Sequence, residues 1–510
     1  MCKELRREAA SAATRRQGQT IERLWRRASR PMPMPAAGAL FGAMAMQTVR
    51  AADLGSNCCA DLEERIAELE ATTVRKGNRR VSLTLSGQVT RSIMYWDDGF
   101  QSDVYSVDNS LNTSRFRLVG SARINPDLQA GFMMELDIRI GSRYNQVTQI
   151  DDDGVSGSGG VLGGVALGDG IGGAGDSVIG IRTANWFLDS KHWGKLTVGR
   201  LNTATGGIST IDLSNTGVVV NSEPGEYQGG FLVRNGLGRL GGSWANLCGG
   251  PSAAGPYSSD CFEHGPSRRD AVRYDTPAWH GFVLSGAFGE DDFWDAALRY
   301  TGEWHGFRLA TGLGYRWYHD REPDVPVPMA APTGKLQKTD RRHWLTSASA
   351  MHVASGLFLS GAYTRYEFRG DNANEVIGGV VANGNRPDIP LWWVDAGIQK
   401  NWTGWGNTTF YGEYGRFWDG TAGLLAATAY PSLGPIGGGG TFAPGSIVLG
   451  SEVTWWGVGA VQTIDAAAMD LYIAYRQYQA DATISGGPAN QIPGGLEDLW
   501  LIQAGARILF

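Results

Sequence analysis

Two neighbouring runs of the chain confine their charged residues to alternate positions. In RFRLVGSARI, Arg115, Arg117, Ser121 and Arg123 alternate with Phe116, Leu118, Ala122 and Ile124. After a tight turn at Pro126 and Asp127, Leu128, Ala130, Phe132, Met134, Leu136, Ile138 and Ile140 alternate with Gln129, Gly131, Met133, Glu135, Asp137 and Arg139. A period of two places the guanidinium and carboxylate groups on one face of adjacent strands and the apolar groups on the other. The chemistry open to such a face is electrostatic, because rings of fixed charge decide which ions and solutes pass a narrow aqueous constriction. The same charges also suit the wall of a wide wet interior, and both readings stand at this point. Covalent chemistry has less support. GDGIGG at 168–173 spells a phosphate-loop pattern but opens no helix, and DDDG at 151–154 lacks the downstream Glu of a calcium loop and reads as a solvated tip. The seven His are scattered, and no nucleophile and base can be paired. Neither enzymatic activity, a cofactor nor a metal site is expected.

The charged runs must be held by an extended framework. The 510 residues include 73 Gly and 18 Trp, 17 Tyr and 17 Phe, too much aromatic surface for a disordered chain. Beyond the N-terminal region no stretch approaches the ~20 consecutive apolar residues of a membrane-spanning helix. Residues 1–51 carry ten Lys/Arg against three Glu, then AAGALFGAMAM and TVRA, with Val49 and Ala51 placed as in a small-residue cleavage site. They read as a secretory signal with a long basic front, and Met32 and Met34 offer alternative starts. Removing those charges takes the formal net charge from −6 to −13, which argues against nucleic acid as a partner. In an oxidising compartment Cys248 and Cys261, flanking GGPSAAGPYSSD, are expected to close a surface loop; the alternative is two unpaired thiols. In DLEERIAELEATT, Leu62, Ile66 and Leu69 form a two-heptad seam. Two heptads are too short to stand alone, so the segment 52–78 has to associate in copies or dock as a single surface helix.

From residue 81 alternation replaces the helical period. Runs of ten or more residues recur at 81–94, 307–318, 357–368, 392–401, 407–417, 448–463, 469–478 and 498–510, with shorter ones at 271–276, 282–288 and 296–303. Sandwich strands are usually shorter. A strand tilted across a bilayer needs ~9–11 residues, apolar toward lipid and polar toward the lumen. Turns such as PAWHG and EWHG alternate with long connections at 143–180, 243–268, 319–341 and 418–446. The reading is all-β: residues 79–510 form a transmembrane antiparallel barrel, closed because hydrocarbon offers no partner to a free strand edge.

WGKLTVGRLNT at 193–203, VRYDTPAWHGFVLSGAFG at 272–289, GIQKNWTGWGNTTFYGEYGRF at 397–417, GVGAVQTIDAAAMDLYIAYRQY at 457–478 and the terminal AGARILF resemble the Gram-negative general porins, in particular α-proteobacterial porins with a short N-terminal helix. The resemblance implies sixteen strands, a trimer and a water-filled channel in the outer membrane for passive diffusion of small hydrophilic solutes and ions. It also implies a loop folded into the pore after GRLNT. The expected constriction then comprises Arg115, Arg117, Arg139 and Arg200 on the wall, with Gly199 supplying a bulge that turns Arg200 inward. Opposite them the loop 202–228 offers Asp212, Glu223 and Glu226, with Asp212 flanked by the anchoring Ile211 and Leu213. Phe510 resembles the terminal signal read by the outer-membrane assembly machinery, and membrane lipid and further copies of the chain complete the expected partners. The competing readings are a barrel with a binding site for one solute class and a lipase-like outer-membrane enzyme.

Overall fold

A computed structural model of the chain describes residues 81–139, 144, 147–150, 160–162, 165–167, 178–248, 268–290, 292–321, 338–369, 374–377, 380–383 and 387–510. The signal segment, the heptad with Leu62, Ile66 and Leu69, Cys58, Cys59, Cys261, DDDG and GDGIGG lie outside these residues.

Alternating polarity produces sixteen antiparallel strands that close on themselves. In chain order they are β1 (Ser82–Asp97), β2 in two pieces (Ser102–Val107 and Arg115–Arg123), β3 (Leu128–Arg139), β4 (Val178–Ser190), β5 (Gly194–Asn202), β6 (Arg268–Asp275), β7 (Phe282–Gly289) and β8 (Phe293–Trp304). They continue as β9 (Phe307–Arg321), β10 (Lys338–His352), β11 (Leu357–Phe368), β12 (Ile389–Lys400), β13 (Thr408–Trp418), β14 (Val448–Ile464), β15 (Met469–Ile484) and β16 (Leu499–Leu509). Each pairs with its sequence neighbour, and β1 pairs with β16 from Gln88↔Leu509 to Asp97↔Trp500, which removes the last free edge. The two pieces of β2 both pair with β1; between them Ser114 Oγ donates to the Thr90 carbonyl and accepts from the Thr90 amide, substituting for the missing ladder.

The wall is apolar outside and polar inside. Ile93, Met134, Leu284, Leu298, Leu359, Val458 and Ile473 are exposed on the outer surface, while Thr90, Ser285, Asp295, Arg316, Ser349, Asp395, Glu413 and Arg476 are buried within. That inversion of a soluble protein's pattern is stable only with hydrocarbon outside. Aromatic pairs mark one margin of the outer band: Tyr95 on Trp500 at 5.1 Å, Trp456 on Tyr475 at 5.3 Å, Trp392 on Tyr414 at 5.2 Å and Tyr315 on Trp344 at 4.5 Å. Phe282 on Tyr300 at 4.6 Å and Trp402 on Phe410 at 5.6 Å mark the other, beside the short turns. Tyr and Trp sit at such margins because one end of the ring is apolar and the other wet. At the opposite rim Arg365 and Arg369 grip Asp388; burial alone raises that carboxyl, but the two guanidinium groups outweigh it and hold it below its ordinary value.

Three segments depart from the simple alternation. Ser102–Val107 is a short piece ending where the chain turns inward. β4 carries a bulge opposite Glu135 and Leu136, which shifts its phase. β10 presents Leu345 and Met351 to the interior beside Ser347 and Ser349, so its inner face is not uniformly polar.

Candidate functional site

The interior is divided between a charged wall and an inserted loop. On β2 and β3 the register sets Arg115 opposite Asp137 and Arg117 opposite Glu135, so the alternation read from sequence does bring these groups together. Arg117 Nε donates to Glu135 Oε2 at 2.7 Å, and Arg115 Nη1 lies 3.7 Å from Glu135 Oε1. A third guanidinium completes the cluster: Arg182 Nε donates to Glu135 Oε1 at 2.7 Å. Plain alternation along β4 puts Arg182 on the outer face with Trp186 and Leu188. The bulge pairs Glu135 with Thr183 and Leu136 with Ile181, leaving Arg182 unopposed and free to aim at Glu135. Glu135 is buried, with 6% of its side chain exposed, whereas Arg117 keeps 46%, so the cluster presents positive charge to the lumen. Arg123 is exposed at the end of β2, and Arg139 belongs to β3 with its side chain outside the described residues.

The bulge expected at Gly199 is absent. Ala184↔Arg200 and Asn185↔Gly199 on one side, and Asp270↔Arg200 and Ala271↔Gly199 on the other, run without a shift. Gly199 holds a positive φ of 122°, yet Arg200 stays on the face of Leu196 and Val198, its Nε 3.3 Å from the Ile181 carbonyl.

After β5 the chain folds into the barrel and follows its inner wall. Asp295 on β8 accepts from the amides of Ala204 (3.0 Å) and Thr205 (2.8 Å) and from Thr205 Oγ1 (2.6 Å), while Arg316 Nε on β9 donates to Thr205 Oγ1 (2.9 Å). Ser347 of β10 donates to the Ile208 carbonyl, and Ser349 Oγ accepts from the Leu213 amide at 3.1 Å. Gln399 of β12 and Thr409 of β13 donate to the Ser214 carbonyl at 2.5 and 3.1 Å. Thr216 Oγ1 donates to Asp395 at 2.9 Å, and Asn215 donates to Asp470 of β15 at 3.0 Å. Asn109, between the two pieces of β2, donates to the Val218 carbonyl at 2.9 Å. Buried hydrogen bonds to a charged acceptor contribute ~1.5–3 kcal/mol each, and Asp295 accepts three of them at the loop's entry.

Apolar contacts reinforce the path. Ala204 and Ile208 pack with Ala287, Ala297 and Leu345. Gly312 and Gly314 on the inner face of β9 make room: a Cβ at Gly312 would stand 2.8 Å from both Ile208 Cδ1 and Ile211 Cδ1, and one at Gly314 2.8 Å from Thr205 Cγ2. Ile211 is thus seated against the wall. Asp212 is partly exposed and caps its own turn, accepting from the Ser214 amide (2.6 Å), Ser214 Oγ (2.5 Å) and the Gly217 amide (2.9 Å). Glu223 is 5% exposed, tucked in ahead of the helical turn Gly225–Gln228 that holds Glu226.

Further along, the loop becomes part of a core inside the barrel. Val218, Tyr227, Phe231, Val233 and Trp244 cluster with Leu424, Tyr430 and Leu433 of the connection after β13 and with Val453, Trp455 and Tyr478 of the wall. A buried ion pair lies at its centre: Arg476 Nε donates to Glu413 Oε1 at 2.5 Å, Arg476 also donates to the Val219 carbonyl and to Gln503 Oε1 (2.8 Å), and Trp393 Nε1 donates to Glu413 Oε2 at 3.0 Å. The Arg476 guanidinium sits 3.7 Å from the centre of the Tyr227 ring. Burial pushes the Tyr227 phenol well above its ordinary value, so it stays neutral and accepts from the Asn221 amide at 2.8 Å. These residues escape a sequence reading; the only signal is a lone charge in the middle of FYGEYG and of IAYRQY. Cys248, closing the described part of the loop, is disulfide-bonded.

A barrel with an apolar exterior, a polar interior and a loop pinned across its lumen defines a membrane channel. The family described as Gram-negative porin matches residues 51–495, and the chain belongs to that family. It is therefore an outer-membrane porin. Similar solved structures include an anion-selective porin from Comamonas acidovorans (17% identity, 84% of this chain and 100% of that one, TM-score 0.47). OmpT of Vibrio cholerae expressed in the outer membrane (12%, 85% and 99%, 0.45) and OmpF of Salmonella typhi with daunomycin (13%, 85% and 99%, 0.44) are also similar. No curated protein matches the chain.

Proposed function

We propose that the channel passes small hydrophilic solutes by diffusion and favours anions. The observation that carries this reading is the convergence of Arg115, Arg117 and Arg182 on the single carboxylate of Glu135. The net charge of −13 expected for the processed chain points the other way, but charges on exposed loops are screened over ~8 Å at physiological ionic strength. Fixed groups beside the permeating ion act before screening intervenes. Reversal potentials across a salt gradient test the preference; selectivity for cations at low salt would refute it. Asp212 is the counterweight on the loop. Asp212→Asn is expected to move reversal potentials further toward anions, by less than Arg117 variants move them the other way, because this carboxylate is already engaged by Ser214 and Gly217.

In the same reading residues 1–51 are removed on export, residues 52–78 supply a coil that gathers three copies, and Cys248 pairs with Cys261. Phe510 serves assembly. Its main chain pairs with Gly87 in both directions and the residue is 62% exposed, so little packing is lost with its side chain. Deleting Phe510 is expected to leave the refolded barrel's thermal stability nearly unchanged while lowering its amount in outer membranes of living cells. An unaltered cellular level would remove the recognition role.

A further inference from the structure

We infer that the short-turn rim of the barrel carries a pH-responsive row of binding sites for phospholipid headgroups, in which His280, His305 and His352 donate to phosphodiester oxygens of the lipid beside the wall. One four-residue sequence occurs at two consecutive hairpins: Trp279-His280-Gly281-Phe282 joins β6 to β7, and Trp304-His305-Gly306-Phe307 joins β8 to β9. Trp279 pairs with Phe282 and Trp304 with Phe307, so each turn has two central residues. Both hold positive φ, 50° and 88° in the first turn and 48° and 79° in the second. Asn before Gly is the usual choice for such a turn. Histidine replaces it twice, and its imidazole is carried at the tip, clear of the ladder. The side chains of His280 and His305 are exposed and make no hydrogen bond or ion pair among the described residues. The next hairpin, between β10 and β11, continues the row with His352, which lies opposite Phe307 in the register with its ring 4.8 Å from that ring. Its Nδ1 meets Ser355 Oγ at 2.7 Å, which leaves Nε2 for another partner. His280 and His305 lie 4.9 and 4.3 Å from the indoles of Trp279 and Trp304.

The occupant follows from depth and charge. Trp279 and Trp304 are 70% and 71% exposed and lie past Phe282 and Tyr300, the pair that marks this margin of the apolar band. Indole rings at a barrel margin settle at the level of the lipid headgroups, so an imidazole joined to one is set among phosphates. A neutral imidazole offers one N–H; the protonated ring, formed between pH 8 and pH 5, offers two and a positive charge. The fixed charges of the rim are largely committed to one another. Glu303 faces Arg308 at 3.5 Å, and Asp189 lies opposite Lys195 in the register. At the turn between β4 and β5, His192 Nδ1 meets Asp127 at 2.6 Å, so this histidine already has its carboxylate and is left out of the row. Lys400 packs on the His352 turn, where a Cβ at Gly356 would stand 3.0 Å from its Cγ. Among the described residues no carboxylate pairs with His280, His305 or His352, so the charge they gain on acidification is met by lipid phosphate.

The test uses the full processed chain in mild detergent, offered phosphatidylglycerol, with bound lipid per chain read by mass. A positive side chain beside an anionic lipid surface is worth roughly fivefold in affinity, so retention at about pH 5.5 is expected to exceed that at about pH 7.5 by at least that factor. The triple variant His280→Gln, His305→Gln, His352→Gln should retain no more lipid at the lower pH than the parent does at the higher. His192→Gln should keep the parent's response, because its partner is Asp127. Circular dichroism and unit conductance should match the parent in both variants, which separates lost headgroup binding from a damaged barrel and leaves the channel reading untouched. Soluble glycerol phosphate at the same concentration should not displace the lipid. Retention that ignores pH, or that survives the triple substitution, would overturn the inference. Displacement by glycerol phosphate at equal concentration would assign the row to free phosphates and would overturn it as well.

Discussion

Replacing Arg117 and Arg182 by alanine is expected to turn the channel toward cations. Both donate to Glu135, and their removal leaves that carboxylate with Arg115 alone at 3.7 Å. A unit charge about 5 Å from the path of an ion contributes roughly 0.8 kcal/mol even at the dielectric constant of water, about a fourfold change in local ion concentration. The two substitutions together are therefore expected to change the permeability ratio by about tenfold in dilute salt. In molar salt, where the screening length falls to ~3 Å, most of the shift should vanish. Arg182→Ala alone separates the contribution of the bulge, since no other residue of β4 is aimed at Glu135 in this way. Reversal potentials unaffected by the double substitution would place the narrowest part of the channel away from this wall.

The second large effect is on stability. Arg476→Leu is expected to destabilise the folded barrel by ~3–5 kcal/mol, because it strands the Glu413 carboxylate, whose side chain has no exposed surface, in the core beneath the loop. It also removes the donors to Val219 and Gln503 and the cation held over Tyr227. Thermal unfolding in detergent reads the loss. Adding Glu413→Gln should restore part of it, because the orphaned charge is removed while Trp393 Nε1 keeps an acceptor. A single variant that unfolds with the parent would show that the loop is not held by this pair.

Much of this architecture is legible in the sequence because the two sides of a barrel wall meet uniform and opposite solvents. Where that holds, as in Leu128–Arg139 and Leu357–Phe368, alternation alone gives the strand and its facing. It fails where the interior stops being water. Leu345, Trp455 and Tyr478 face inward because the inserted loop, and not solvent, covers them, so their strands carry apolar residues on both faces. The charged wall and the inserted loop divide in the same way. Arg115, Arg117 and Glu135 follow from a period of two, and Ile211 was identifiable as an anchor from its place beside Asp212. Arg182 was not, because one extra residue in β4 reverses its facing, and a bulge leaves no mark in composition. For Arg200 plain alternation holds and the expected bulge fails: Gly199 has a positive φ, but the ladders on both sides keep their register and leave Arg200 on the face of Leu196 and Val198. The loop's path depends on Asp295, Arg316 and Arg476, which lie 90 and 111 residues from Thr205 and 257 residues from Val219 respectively, and such pairings become visible only when the barrel closes.

The most direct test of the channel itself is a planar-bilayer recording of the purified, oligomeric parent protein at low and high salt. Stepwise, ohmic conductance that favours anions in dilute salt and is unaffected by millimolar sugars is the predicted result. A barrel verified as folded by circular dichroism that passes no current would contradict an open channel, and concentration-dependent block by a sugar would replace simple diffusion with a solute-binding pore.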